Sequence, residues 1–232
     1  MSTTLKIDDL SFEVRHSSRR RTLQITVERD GSLLLSAPSG MGEAALREFA
    51  TEKRLWIYTK LAEKELMRRA VPRKEFVDGE GFLYLGRNYR LKLVEDQDVP
   101  LRFSGGRFRL RRDMIDSGRD HFVRWYSERA REKLSLFVDE LQARMEVQPS
   151  AVKVQDLGYR WGSCGKGNCL YFHWKTILLP SRIVEYVAAH EMAHLHEPHH
   201  TPEFWLRLER AMPDYAQRKA WLAERGVCVE GL

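Results

Sequence analysis

The chain has 232 residues, 43% of them hydrophobic and 31% charged, with a formal net charge of +6 and a pI near 9.3. That balance suits one large or two small globular domains, and no stretch approaches the ~20 apolar residues a membrane span needs. Three cysteines do not make a disulfide framework, and the first twenty residues lack the apolar core of a signal peptide, so a cytoplasmic protein with reduced thiols is expected.

Residues 10–37 read as strands. Leu23, Ile25 and Val27 alternate, Asp30-Gly31 makes a turn, and Leu33 and Leu35 begin the return strand. From Glu43 to Ala70 the period becomes helical, with Leu46, Phe49, Ala50, Trp56, Ile57 and Leu61 as the apolar stripe and Pro72 as its close. A second strand region follows: 82–85 and 89–94 flank a Gly86-Arg87-Asn88 turn, and 101–103 pairs with 108–110 across Gly105-Gly106. Ser117 with Asp120 reads as a capped start for a helix carrying Phe122, Tyr126, Ala130, Leu134, Phe137 and Leu141, which ends before Pro149. Val152 and Val154 begin a strand, residues 159–164 form another, Gly165-Lys166-Gly167-Asn168 is a hairpin turn, and 169–177 returns. Ser181 is the expected N-cap of the next helix. Thr201-Pro202 starts a further helix, and Asp214 with Gln217 caps the last, which Gly226 ends. No repeat, low-complexity segment or linker is apparent. The expectation is therefore one continuous α+β domain over residues 1–232, hairpin-rich in 1–115 and helical in 116–232.

Five of the eight histidines fall within 190–200. His190 and His194 bracket Glu191 in the order His-Glu-x-x-His, and residues four apart on a helix point almost the same way one turn apart. Both imidazoles can then reach one metal ion, with Glu191 beside it to hold a proton. A nitrogen-rich, sulfur-free site suits zinc. The helix is apolar at Ile183, Val187 and Ala188, so it is buried, and unpaired His and Glu there would be costly. A catalytic site needs a third protein ligand and an open position. His196 lies about 200° from His194 and points away. Pro198 stops the helix and lets the chain turn back. His200, ten residues after His190, is favoured over His199, with Glu203 or Glu209 as rivals; Glu197 stands where three-histidine sites usually place glycine. Tyr159, Arg160 and Tyr215 are candidates for stabilising an oxyanion. The Trp161–Cys164 strand is a candidate edge for an extended peptide, where Gly162 would permit close backbone approach. Cys164 and Cys169, five apart across a turn, read as small buried residues rather than a second metal site, and Met212 as helical core.

Arg160-Trp161-Gly162-Ser163-Cys164, Tyr186 to His194, His200-x-x-x-Phe204-Trp205 and Pro213-Asp214-Tyr215 resemble the YgjP-like metallopeptidase family, relatives of the SprT-like and WLM peptidases. The likeness extends to Tyr84-Leu85-Gly86-Arg87-x-Tyr89 and the N-terminal hairpin. It implies a zincin-like catalytic half, zinc held by His190, His194 and His200, Glu191 as general base, and peptide or protein substrates. The alternative reading is a nucleic-acid-associated protein, since Arg19-Arg20-Arg21 and the basic excess are compatible with such a partner. No binding motif for nucleic acid is present to identify one.

Overall fold

The structure is a computed structural model that describes residues 3–27, 31–67, 74–158, 160–229 and 232. The expected positions Asp30, Pro72 and Tyr159 lie outside the described residues. Packing divides the chain into two compact units, Met1–Val71 and Pro72–Leu232.

In the first unit, strands β1 (Thr3–Ile7), β2 (Leu10–Ser17), β3 (Gln24–Val27) and β4 (Leu33–Pro38) form one sheet in the order β1-β2-β4-β3. The expected hairpin is present, with Ile25 opposite Leu35 and Val27 opposite Leu33. Alternation works as the period-two rule requires: Leu10, Phe12 and Val14 are buried while Ser11, Glu13 and Arg15 are not. Helices α1 (Glu43–Glu52) and α2 (Arg54–Met67) add Leu46, Ala50 and Ile57 to this core. The single helix expected over 43–70 is broken at Lys53, whose amide bonds back to the Phe49 carbonyl. Of the expected stripe beyond the break, Trp56 is exposed while Ile57 is buried.

In the second unit, β5 (Gly81–Tyr84), β6 (Arg87–Val94), β7 (Leu101–Ser104) and β8 (Arg107–Arg111) form a sheet in the order β5-β6-β8-β7. Both four-stranded sheets therefore follow one connectivity, a hairpin joined in parallel to a second hairpin. No sequence repeat betrays this recurrence, because the strands share only apolar alternation. The β5–β6 turn is tighter than expected, consisting of Leu85 and Gly86, both at positive φ (48° and 76°). The 28-residue helix α3 (Gly118–Met145) buries Phe122, Tyr126, Ala130, Leu134, Phe137 and Leu141 as its spacing predicts. Phe82 stacks on Phe122 at 4.1 Å, and the Tyr126 hydroxyl donates to the Leu83 carbonyl at 2.7 Å, fixing α3 to the sheet.

A three-stranded sheet, β10-β11-β9, follows: β9 (Ala151–Gln155) runs parallel to β11 (Cys169–His173), and β10 (Gly162–Cys164) is an antiparallel edge strand. The return strand is shorter than expected. It ends at His173, whose ring caps a 3-10 turn over Trp174–Leu178 by accepting from the Lys175 amide. Helix α4 (Ser181–Ala193) begins with Pro180, not Ser181, at its N-cap. Helices α5 (Pro202–Ala211) and α6 (Tyr215–Arg225) pack against it. Thr201 caps α5 through its side chain as expected, and Met212 is core. The Asp214 carboxylate binds Arg218 at 2.8 Å instead of capping α6, and α6 ends at Gly226 as expected, where a 3-10 turn over Gly226–Val229 begins.

The β5–β6 turn aims α4. The amides of Leu85 and Gly86 donate to the carbonyls of Ile177 (2.9 Å) and Leu178 (3.0 Å), just before Pro180. A Cβ on Gly86 would meet the Pro180 Cα at 2.8 Å, and the backbone already has φ +76°. Gly86→Ala is therefore expected to cost about 1–3 kcal/mol and lower Tm by several degrees in thermal denaturation.

Candidate metal centre

Helix α4 is buried on almost its whole circumference, with Ile183, Val184, Tyr186, Val187, Ala188, Ala189, Met192 and Ala193 in the core. One turn of spacing places His190 and His194 on a common face, their ring centroids 5.1 Å apart. The α-helix ends at Ala193, earlier than Pro198 would require. The turn tightens there, as the amides of Leu195 and His196 bond three residues back. His196 points away, with Nε2 3.2 Å from the Met145 carbonyl.

The chain then reverses and brings His200 back. Its Nε2 lies 3.0 Å from the His190 Nε2, and its ring is 4.8 Å from that of His194. One ligand-capable atom from each of His190, His194 and His200 lies within 4.8 Å of the others, the one such group among the described residues. His199, Glu203, Glu209, Cys164 and Cys169 are not part of it. The cysteines are free thiols, and burial pushes the Cys164 thiol up.

Each ring is held by a different device. The His194 Nδ1 is 3.0 Å from the Glu197 carbonyl; a carbonyl only accepts, so Nδ1 carries the proton and Nε2 presents its lone pair to the cluster. This gives Glu197 a role, through its backbone and not its carboxylate. Fully buried Phe204 forms a floor, its centroid 5.0, 4.6 and 4.8 Å from those of His190, His194 and His200. Trp205 stacks on His200 at 5.4 Å and 19°, and Tyr215 stacks on Trp205 at 5.6 Å and 21°. Lys219 Nζ sits 3.9 Å from the Trp205 ring centroid. Tyr215 is thus a supporting ring.

Electrostatics disfavour protonation of His190 and His200. Burial, then His194, His200 and Lys219, push the His190 pKa down to about 3; burial, then His194 and Lys219, lower that of His200. The His190 Nδ1 is buried without a hydrogen-bond partner among the described residues. Converging imidazole nitrogens suit a cation: tetrahedral bonds of about 2.0–2.1 Å put adjacent nitrogens roughly 3.3 Å apart, close to the His190–His200 spacing of 3.0 Å. The residues therefore fit a divalent metal.

Glu191 is 7% exposed. Burial pushes its pKa up to about 7, while Arg160 and a hydrogen bond from the Cys164 amide pull the other way. Edge strand β10 lies against it: a Cβ on Gly162 would come within 2.5 Å of the Glu191 Cγ and 2.7 Å of Oε1. The close approach anticipated at Gly162 is thus made by the Glu191 side chain. Nothing in the chain's local pattern pointed to this contact, which joins residues 29 apart. A cleft of about 430 Å³ opens between β10 and Pro198 onto the three imidazoles and Glu191, with Arg160 and Ser163 on its wall. The Arg160 guanidinium is 3.3 Å from the Ser163 hydroxyl.

Among the described residues, no helix is long and apolar enough to cross a membrane. No curated protein matches the chain. Among solved structures, the metallopeptidase zymogen abylysin of Pyrococcus abyssi is similar over 39% of this chain and 93% of its own, at 17% identity and a TM-score of 0.36. The family model described as YgjP-like, metallopeptidase domain matches residues 21–225, nearly the whole length, and includes both β10 and the histidine cluster. The chain belongs to the YgjP-like family of metallopeptidases.

Proposed function

We propose that His190, His194 and His200 hold one zinc ion and that Glu191 is the general base of a hydrolase that cleaves peptide bonds. The observation that carries this reading is the convergence of three imidazoles and one buried carboxylate on a single open cleft. A nitrogen-only donor set matches zinc. When bound, zinc supplies the Lewis acid that polarises a peptide carbonyl and makes water acidic near neutral pH.

The chain's own groups do the rest. Glu191 takes the proton of the attacking water at its carboxylate and returns it to the departing amine. The Cys164 amide and Arg160 favour the ionised form against the cost of burial, so a base is present near neutrality. Gly162 leaves room for that carboxylate beside His190. Of the sequence candidates for balancing negative charge on the substrate, Arg160 lines the cleft.

Pure protein is expected to carry about one zinc per chain by elemental analysis, and peptide hydrolysis is expected to stop on chelation and return with zinc. Glu191→Gln should lower kcat by at least about 100-fold while zinc content stays the same. A metal-free pure protein, or unchanged hydrolysis in that variant, would overturn the reading. Gly162→Ala should also retain zinc, yet lose at least about tenfold in kcat because its new methyl group displaces the base. In Trp205→Leu the His200 ring loses its stacking partner, and zinc affinity measured by chelator competition should fall roughly tenfold.

A further inference from the structure

Next to the cleft lies a second concavity of about 230 Å³ that the hydrolytic chemistry does not use. It shares Arg160, Gly162, His190 and Glu191 with the cleft, but its own walls are Trp161, Tyr186, Val187 and Leu222. Tyr186 and Val187 lie four and three residues before His190, so they continue the same face of α4 by one turn. Trp161 immediately precedes β10, and Leu222 comes from α6. Val187 and Tyr186 are buried, and none of the four wall side chains bears a formal charge. The guanidinium of Arg160 is the one charged group at the rim besides Glu191.

Resting on the peptidase reading, we propose that this pocket is a substrate subsite that receives the apolar side chain of a residue flanking the scissile bond. His190, Glu191 and Gly162 line both the pocket and the cleft, so a side chain seated there belongs to a residue whose own backbone lies at the reacting centre. Size sets the class: a cavity of about 150 Å³ holds benzene, so 230 Å³ takes leucine, methionine or phenylalanine. Chemistry narrows it further. A lysine or arginine side chain would lose its hydration against apolar walls and meet Arg160 at the rim, and glycine or alanine would leave the walls unfilled.

The test uses the zinc-loaded full-length protein and a peptide library, with cleaved bonds mapped by mass spectrometry. Bonds flanked by Leu, Met or Phe should be cut with kcat/KM at least about tenfold above those flanked by Gly, Lys or Asp at the same position. Leu222→Phe, at the half-buried rim, should move the preference toward smaller residues, and Leu222→Ala toward larger ones. An unbiased cleavage profile, or a preference unchanged in both Leu222 variants, would overturn the subsite. In parallel, the zinc-loaded Glu191→Gln protein is titrated with matched peptides containing Leu or Gly, which reads the pocket without turnover. Tighter binding of the Leu peptide with no cleavage by the native protein would uphold the pocket and defeat the peptidase reading. Equal binding of the two peptides would defeat the pocket alone.

Discussion

Helix α4 has to be buried almost all round and still present polar groups on one face, and this conflict shapes the second unit. Glu191 is the one buried carboxylate among the described residues, and burial alone penalises its ionised form. The edge strand β10 and the residues leading into it supply what a helix cannot give itself: an amide that donates to the carboxylate, a glycine that makes room for it, and the nearby cation of Arg160. The helix is aimed in turn by the β5–β6 turn, whose two amides bond to the carbonyls just before Pro180. The sheet that looks remote in sequence is therefore part of the scaffold of the candidate centre.

The third histidine is placed by a different mechanism. His190 and His194 share a helix, so their relative position follows from backbone geometry, whereas His200 sits in an exposed turn. What holds it is the start of α5. Thr201 caps that helix and Pro202 opens it, so Phe204 and Trp205 fall directly beneath and beside the rings. Phe204 contacts all three imidazoles from the core, and the Trp205–Tyr215 stack backs His200 from α6. Aromatic faces position the rings without competing for their lone pairs.

Sequence patterns worked where the deciding force was local. The α3 stripe, the β3–β4 and β7–β8 pairings and the Thr201 cap all follow from periodicity or turn chemistry within a few residues. They misled where tertiary packing intervened. The long helix expected over 43–70 breaks at Lys53, the strand expected to reach Ile177 ends at His173, and α4 is capped by Pro180 rather than Ser181. The shared connectivity of the two four-stranded sheets left no trace in the residues, since backbone pairing asks only for alternating apolar side chains.

The candidate chemistry was legible in the chain. His-Glu-x-x-His on a buried helix fixes two imidazole donors and one carboxylate base, and Pro198 with His200 favours a third imidazole over the carboxylates of Glu203 and Glu209. These are statements about residue type and helical period, which a chain carries wherever it folds. How the groups are held and what surrounds them emerges with the packing of the folded chain. The Gly162 contact with Glu191 and the apolar pocket between α4 and α6 join residues through space, at separations no local periodicity encodes.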